Sequence, residues 1–558
     1  MVKRFISIFS REISGLHEAA YLLGFFAIAS QLLGLFRDRL LAHSFGADTA
    51  LDLYYAAFRI PDLIFVTMAS LVSASVLIPF LTERFKRSQE EGKYFISAIF
   101  SVFGIGMMVA SAIVYIFMPK LVELLFPGFA SGEAQNELIM LSRVLLLSPF
   151  FLGLSNFFGS ITQLNNRFFI YALSPVIYNL GIIIGIIFFA PSLGTLGVVL
   201  GVILGAFLHF AIQIPFIVSS GLFPRFIWPK LNLVREVFIV SLPRTIALSS
   251  NELTEFFLIS FASLMSAGSI SVFNLSFNLA SVPLSVIGVS YSLAAFPTLT
   301  KYFSAGDIKK YVEHLSTSLR HIVFLSVPIV VLFVVLRAQI VRVILGSGEF
   351  NWSDTRLTAA ALALFVISII PQSLMLLFTR ARYSAGKTNL PLVINIFGAF
   401  STVIIALILG QLFKVYPSLN LWIETLLRVD TLTGTSVLVL PLAFSIGATI
   451  AAILHIVTFN KEHPKFFTSV LRTFWQTLGA SIFMGLTSYL ALNILDNYFS
   501  LDTFFGIFMQ GFIAGIMGIV VLISLLVLSN SKELSDMWKA FHHKFWKAKV
   551  VAPDAEVI

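Results

Sequence analysis

The chain predicts an all-α integral membrane protein of about fourteen transmembrane helices. Two six-helix lobes related by duplication would surround a central cavity, with two further helices at the C-terminus. Three observations carry this: composition, the alternation of loop charge, and a repeated set of proline-centred motifs. Of the 558 residues 58% are hydrophobic and only 12% charged, against about 25% charged in soluble domains. So much apolar surface has to face lipid.

A helix needs about 20 apolar residues to cross the ~30 Å hydrocarbon layer. Windows of that kind fall at roughly 21–45, 52–82, 94–118, 136–161, 168–190, 194–218, 234–265 and 269–300. Six more follow at roughly 314–338, 356–380, 389–413, 434–458, 469–494 and 503–529. The first two are the least apolar and carry charges within the span.

Loop charge orients these spans. With the N-terminus inside, the inner connections gather Lys3, Arg4 and Arg11, then Arg84, Lys86, Arg87 and Lys93, and later Arg225, Lys230, Lys309, Lys310, Arg382, Lys387 and Lys461. The outer connections hold only Lys120, Arg337, Arg342, Arg356, Lys414 and Arg428. Cytoplasmic loops of membrane proteins collect Lys and Arg in this way, so both termini are expected in the cytoplasm. The same bias accounts for the net charge of +9 without nucleic acid as a partner. Met1–Glu12 and Asp536–Lys549 mix aromatic and basic residues and read as amphipathic segments lying on the inner leaflet.

The duplication shows in two motifs. Pro79-Phe80-Leu81-Thr82 with Phe85 and Pro297-Thr298-Leu299-Thr300 with Phe303 share P-x-L-T-x-x-F, 218 residues apart. Pro175 with Asn179 and Pro391 with Asn395 share P-x-x-x-N, 216 residues apart. Pro61 and Pro283 form a weaker third pair. Each offset covers an even number of helices, so the halves have the same orientation, and substrate sites in such transporters lie near the repeat interface. The expected organisation is an amphipathic segment over 1–20, an N-lobe over 21–218, a C-lobe over 219–458, two added spans over 466–529 and a cytoplasmic tail over 530–558. The glycine stripes Gly181/Gly185 and Gly197/Gly201/Gly205 let helix backbones approach and read as packing.

Several charges stand where charge is expensive, since an ionised group at mid-membrane costs at least ~2.5 kcal/mol. The first span ends on Arg37-Asp38-Arg39, and the second carries Asp52, Arg59 and Asp62. Arg37 and Asp38 are adjacent, so they leave their helix on different faces and are not expected to neutralise each other. Arg59 and Asp62 are three apart and able to pair. Two readings stay open: an ion-pair network tying the first two spans together, or a cationic lining of Arg37 and Arg59 for an anionic headgroup, whose phosphate oxygens suit the guanidinium fork. Glu252 and Glu255, one turn apart on the seventh span after Arg244, are candidates for ion coupling, or simply sit near the outer water interface. Arg143, Arg320 and His321 lie close to span ends and read as snorkelling side chains. His209 and His455 read as packed polar groups.

Chemistry is otherwise sparse. The chain has no cysteine, which excludes thiolate metal sites and disulfides. Gly386-Lys387-Thr388 ends like a phosphate loop, but position 381 is Ala and no strand precedes it. No catalytic motif, metal site or cofactor is expected. Transport would draw on an ion gradient, the membrane potential or the substrate gradient.

The opening spans carry a specific resemblance. Ser30 to Asp38, Phe45-Gly46-Ala47 with Asp52, Ala57 to Asp62, Leu242-Pro243-Arg244-Thr245, Ala267-Gly268-Ser269 and Pro283-Leu284 resemble the pattern of the MurJ (MviN) lipid II flippases. That family lies within the multidrug/oligosaccharidyl-lipid/polysaccharide exporters. The resemblance implies alternating access, an undecaprenyl diphosphate-type lipid as substrate and surrounding membrane lipids as partners, a monomeric chain, and a bacterial inner-membrane location. It also implies substrate contacts by Arg37 and Arg59, and gate or ion-pair roles for Asp38, Asp52 and Asp62. The last two spans would shelter the lipid tail.

Departures from the pattern are Gln31, Phe65 and Asn278 where the family has cavity arginines. Ser70-Leu71 replaces an acid–glycine pair, and Leu258 replaces an aspartate of the seventh span. The alternatives are an exporter of another undecaprenyl-linked glycan and a transport-inactive scaffold for wall synthesis.

Overall fold

The computed structural model describes residues 16–69, 72–464, 466–501 and 503–546. Every regular element among them is helical. In chain order they are α1 (Leu16–Phe45), α2 (Thr49–Ala69), α3 (Ala74–Arg87), α4 (Gln89–Leu125), α5 (Gly132–Leu164), α6 (Phe168–Leu193) and α7 (Thr195–Ser219). Then come α8 (Leu231–Ala262), α9 (Ser269–Ser304), α10 (Ile308–Val335), α11 (Arg337–Leu345), α12 (Trp352–Ser384) and α13 (Asn389–Val415). The last are α14 (Pro417–Leu427), α15 (Thr435–Glu462), α16 (Thr468–Leu495), α17 (Phe504–Leu528) and α18 (Lys532–Trp546).

Eleven of these helices are long and apolar enough to cross a membrane, and they coincide with eleven of the fourteen sequence windows. The other three windows fold as α1, α2 with α3, and α8. They are helical too: α2 carries Asp52, Arg59 and Asp62, α8 carries Arg244, Glu252 and Glu255, and α1 is uncharged from Ala19 to Phe36. The second window is interrupted at Val72–Ser73, just before α3. Offset by 216–218 residues, the corresponding stretch of α9 holds a π-turn at Ser285–Val289. Pro61 and Pro283 lie earlier in the same helices.

The chain divides into two compact units. The first comprises 1–279, 344–364 and 395–447. In it α6 and α7 lie backbone to backbone: a Cβ on Gly181 would meet Gly205, one on Gly185 would meet Gly201, and one on Gly197 would meet Phe189. The two glycine stripes are therefore each other's partners. Turns also meet within this unit. The Glu349 amide donates to the His43 carbonyl (3.0 Å), and Gly46, at φ +64°, fits against the Glu349 backbone. Elsewhere Arg84 pairs with Glu236 (3.1 Å), and the Arg225 amide donates to Ser97 (3.2 Å).

The second unit comprises 280–343, 365–394 and 448–558. Its core runs through Leu299, Leu315, Leu319, Leu377, Phe378 and Phe459, and α16 and α17 close on α10 through Phe324, Met484, Leu522 and Leu526. The C-terminal amphipathic segment is helical to Trp546; its remainder, and Met1–Glu12, lie outside the described residues. This helix is tied down by Glu533. That buried carboxylate accepts from Thr473 (2.9 Å) and lies 3.6 Å from Arg320, so Arg320 is a docking contact rather than a snorkelling group. Large apolar side chains such as Ile116, Phe188, Phe400 and Phe505 stand exposed, which suits lipid and not water.

Candidate functional site

All seven residues singled out by sequence fall in the first unit, on α1, α2 and α8. The structure gathers them into two charge networks and one helix cap.

The first network centres on Arg37. Its Nε and Nη2 both donate to Asp38 Oδ1, at 2.9 and 2.8 Å. This corrects the expectation that adjacent residues stay apart: the long arginine stem folds back along the helix surface and spans the ~100° between neighbours. Arg37 Nη1 donates to Asn179 Oδ1 (3.2 Å). Asn179, the asparagine of the repeated P-x-x-x-N motif, is held by donating to Ser30 Oγ (3.1 Å) and to the Pro175 carbonyl (3.2 Å). The second oxygen of Asp38 accepts from Asn278 Nδ2 (2.9 Å). Where the family pattern has an arginine, this chain thus puts a neutral donor on the same carboxylate.

The second network centres on Arg59. Nη1 donates to Glu255 Oε2 (3.0 Å) and Nη2 to Asn274 Oδ1 (2.6 Å). Asn274 is fixed by donating back to the Ile270 carbonyl (2.8 Å). Glu255 on α8 therefore takes the place expected for Asp62. Asp62 sits half-buried one turn beyond Arg59, in electrostatic range of both Arg59 and Glu255. Glu252 lies within range of the same three groups.

Asp52 does neither. Its Oδ1 accepts from the Ser271 amide (2.7 Å) and hydroxyl (2.6 Å), and its Oδ2 from the Gly268 amide (2.8 Å). The expected ion-pair partner is replaced by the first turn of α9, whose orphan N–H groups need an acceptor. Gly268, at φ +85°, turns the chain so that its amide reaches Asp52.

Neither arginine is sealed. The Arg37 side chain is 22% exposed and that of Arg59 11%. Unspent donors remain: the buried Arg59 Nε and the buried Tyr55 hydroxyl have no partner among the described residues. Tyr55 lies in electrostatic range of Arg37, Asp38 and Arg59, so it stands between the networks. An unmet buried donor costs roughly 1–3 kcal/mol, and a ligand oxygen would relieve it. Sequence reading missed Tyr55, Asn179, Asn274 and Asn278 as partners. Asn274 and Asn278, four apart with Ser271 preceding, form a polar stripe on an apolar helix that marks this face in retrospect. His209 packs as expected, with Nδ1 2.6 Å from Ser155 Oγ. Leu258 is buried.

A many-helix bundle with paired charges inside its spans, and no soluble domain among the described residues, is the build of a multi-pass membrane transporter. Its fold matches that of a solved inward-facing multidrug resistance MATE family transporter of the MOP superfamily (TM-score 0.64, 16% identity, 80% of this chain and 96% of that one). It matches more fully a solved lipid II flippase MurJ in an inward closed conformation (TM-score 0.74, 23% identity, 91% and 98%). The family model described as lipid II flippase MurJ matches residues 41–510, and the chain belongs to that family. Among curated relatives, a probable lipid II flippase MurJ of Buchnera aphidicola subsp. Schizaphis graminum is 28% identical over 391 residues, covering 68% of this chain and 75% of the relative. The lipid II flippase MurJ of Burkholderia cenocepacia is 25% identical over 381 residues, covering 66% and 74%.

Proposed function

We propose that this protein moves lipid II, an undecaprenyl diphosphate-linked wall precursor, from the inner to the outer leaflet of the bacterial cytoplasmic membrane. It does so without a chemical step, as a monomer with both termini in the cytoplasm. Two lobes, 21–218 and 219–458, would rock in alternating access, while 466–529 shelters the lipid tail. The three charge-bearing windows cross the membrane with the eleven apolar ones.

The observation that carries this reading is the pair of part-exposed guanidinium groups, Arg37 and Arg59, with the unspent donors Arg59 Nε and Tyr55 Oη between them. A diphosphate offers acceptor oxygens to all of them, and charge-assisted bonds of this kind are the strong ones. Asp38 and Glu255 hold the arginines in place until the substrate competes for them. The carboxylates Asp38, Asp52, Asp62, Glu252 and Glu255 outnumber the two arginines, so the assembly is acidic if all are ionised. Glu255, released from Arg59 by an incoming diphosphate, and Glu252, one turn away on α8, are the groups we assign to ion coupling.

Complementation of a flippase-depleted bacterium tests the assignment. The wild-type chain should restore growth, and Arg37→Ala should not, although it reaches the membrane in equal amount. Growth on Arg37→Ala would overturn the assignment. A second reading, export of another undecaprenyl-linked glycan, is favoured by Asn278 standing where the family has an arginine. Flipping of defined lipid-linked substrates in proteoliposomes separates the two.

A further inference from the structure

In the second unit a cavity of about 380 Å³ opens among Tyr311, Arg382, Lys387, Phe459, Glu462 and His463, and neither charge network above uses it. It lies where the ends of α12 and α15 meet the start of α10, at connections that the loop-charge alternation assigns to the inner side. Arg382 is 1% exposed. Its Nη1 donates to Glu462 Oε1 (2.7 Å) and its Nη2 to Thr458 Oγ1 (3.0 Å), while its Nε is buried with no partner among the described residues. Lys387 Nζ takes the other carboxylate oxygen of Glu462 (2.7 Å).

Two cations therefore share one carboxylate, and the cluster keeps a positive charge before His463 is counted. The walls are aromatic. The Arg382 guanidinium lies 5.7 Å from the centre of the Phe459 ring, Phe459 is 4.9 Å from His463, and Phe303 meets Tyr311 edge-on at 5.6 Å. Such walls lower the local dielectric and strengthen whatever the cations hold.

The backbone fixes Lys387 in this position. Gly386, at φ +71°, closes α12. The Lys387 amide donates to the Arg382 carbonyl (2.9 Å) and the Gly386 amide to the Tyr383 carbonyl (3.0 Å), the hydrogen-bond pattern of a glycine C-cap. So the Gly386-Lys387-Thr388 stretch is no nucleotide loop, yet it delivers its lysine to a cavity of ligand size, since such pockets run from about 300 Å³ upward.

We propose that this pocket binds a phosphate-bearing group, held by Lys387 and by the free Nε–H of Arg382, with the glycerol-sized remainder of the ligand against Phe459 and Tyr311. Two sources share this chemistry: the headgroup of an anionic lipid and a soluble phosphate. The site is separate from the Arg37 and Arg59 networks, so its test does not depend on flipping.

The experiment uses the full-length protein purified in detergent, and the variants Lys387→Gln and Glu462→Gln. Lys387 is half-exposed, so its replacement leaves the fold intact. Titration with inorganic phosphate, followed by calorimetry, reads the soluble source. Retention of phosphatidylglycerol over phosphatidylcholine, followed by native mass spectrometry of protein taken from mixed nanodiscs, reads the lipid source. For one of these probes Lys387→Gln should bind at least about tenfold more weakly, as befits loss of a charged hydrogen-bond partner. Glu462→Gln, which removes the internal competitor, should bind more tightly. Wild-type and Lys387→Gln proteins that bind both probes equally, or neither at all, would overturn the proposal.

Discussion

Tyr55 is where the residue scale is most informative. Its hydroxyl is buried beside Arg37 and Arg59 and bonds to nothing among the described residues. Tyr55→Phe removes no hydrogen bond from the protein, so the melting temperature in detergent should stay level or rise slightly. If the hydroxyl donates to the diphosphate, transport should fall by roughly tenfold, the worth of one hydrogen bond to a charged group. Unchanged flipping in proteoliposomes would remove Tyr55 from the site. Asp52 is the opposite case, with every oxygen spoken for. Asp52→Ala should destabilise by about 1–2 kcal/mol, as loss of a helix N-cap does. Asp52→Asn should fall between, because its amide nitrogen faces the Gly268 N–H. A thermal melt reads both, and near-normal transport by Asp52→Asn would mark the residue as a cap and not a gate. The sequence disclosed the charged residues here but not their pairing. Spacing on one helix suggested Arg59 with Asp62, whereas the actual partner, Glu255, comes from α8, and no periodicity within α2 reports a neighbour 196 positions away.

At the scale of elements, the contact of α6 with α7 is built on absent side chains. Gly201 and Gly185 approach so closely that a methyl group on either would meet the other's backbone, which has no rotamer to yield. Gly201→Ala should cost about 1–3 kcal/mol as overpacking. Gly106→Ala, with nothing within 4 Å of the added carbon, should be neutral or stabilise by up to about 1 kcal/mol through helix propensity. Parallel detergent melts would show the contrast, and equal melting temperatures would contradict the close packing. These stripes were legible because close approach demands glycine at four-residue spacing. The paired irregularities, the interruption at Val72–Ser73 and the π-turn at Ser285–Val289, were not. Each comes after its proline, whereas a proline disturbs the turn before it, so the motif does not report them.

For the whole molecule, hydropathy revealed the apolar helices directly and understated α2 and α8, for a physical reason. The helices that hold Arg59 and Glu255 cannot be uniformly apolar, so the functional charges hide the spans that carry them. Orientation is the claim to test at this scale, and the chain is already suited to it, having no native cysteine. Glu349 and Glu90 are both exposed. The alternation of loop charge puts Glu349, whose amide bonds the His43 carbonyl, outside, and puts Glu90, just after the basic run Arg84 to Arg87, inside. In intact spheroplasts a membrane-impermeant maleimide should label Glu349→Cys and leave Glu90→Cys unlabelled, while permeabilised cells should label both. The two turns that meet at His43 and Glu349 are separated by eight proposed crossings, so labelling at Glu349 also tests the crossings through α2 and α8 that hydropathy alone misses. Labelling of Glu90→Cys in intact cells would invert the topology, and with it the direction in which Arg37 and Arg59 first meet their lipid.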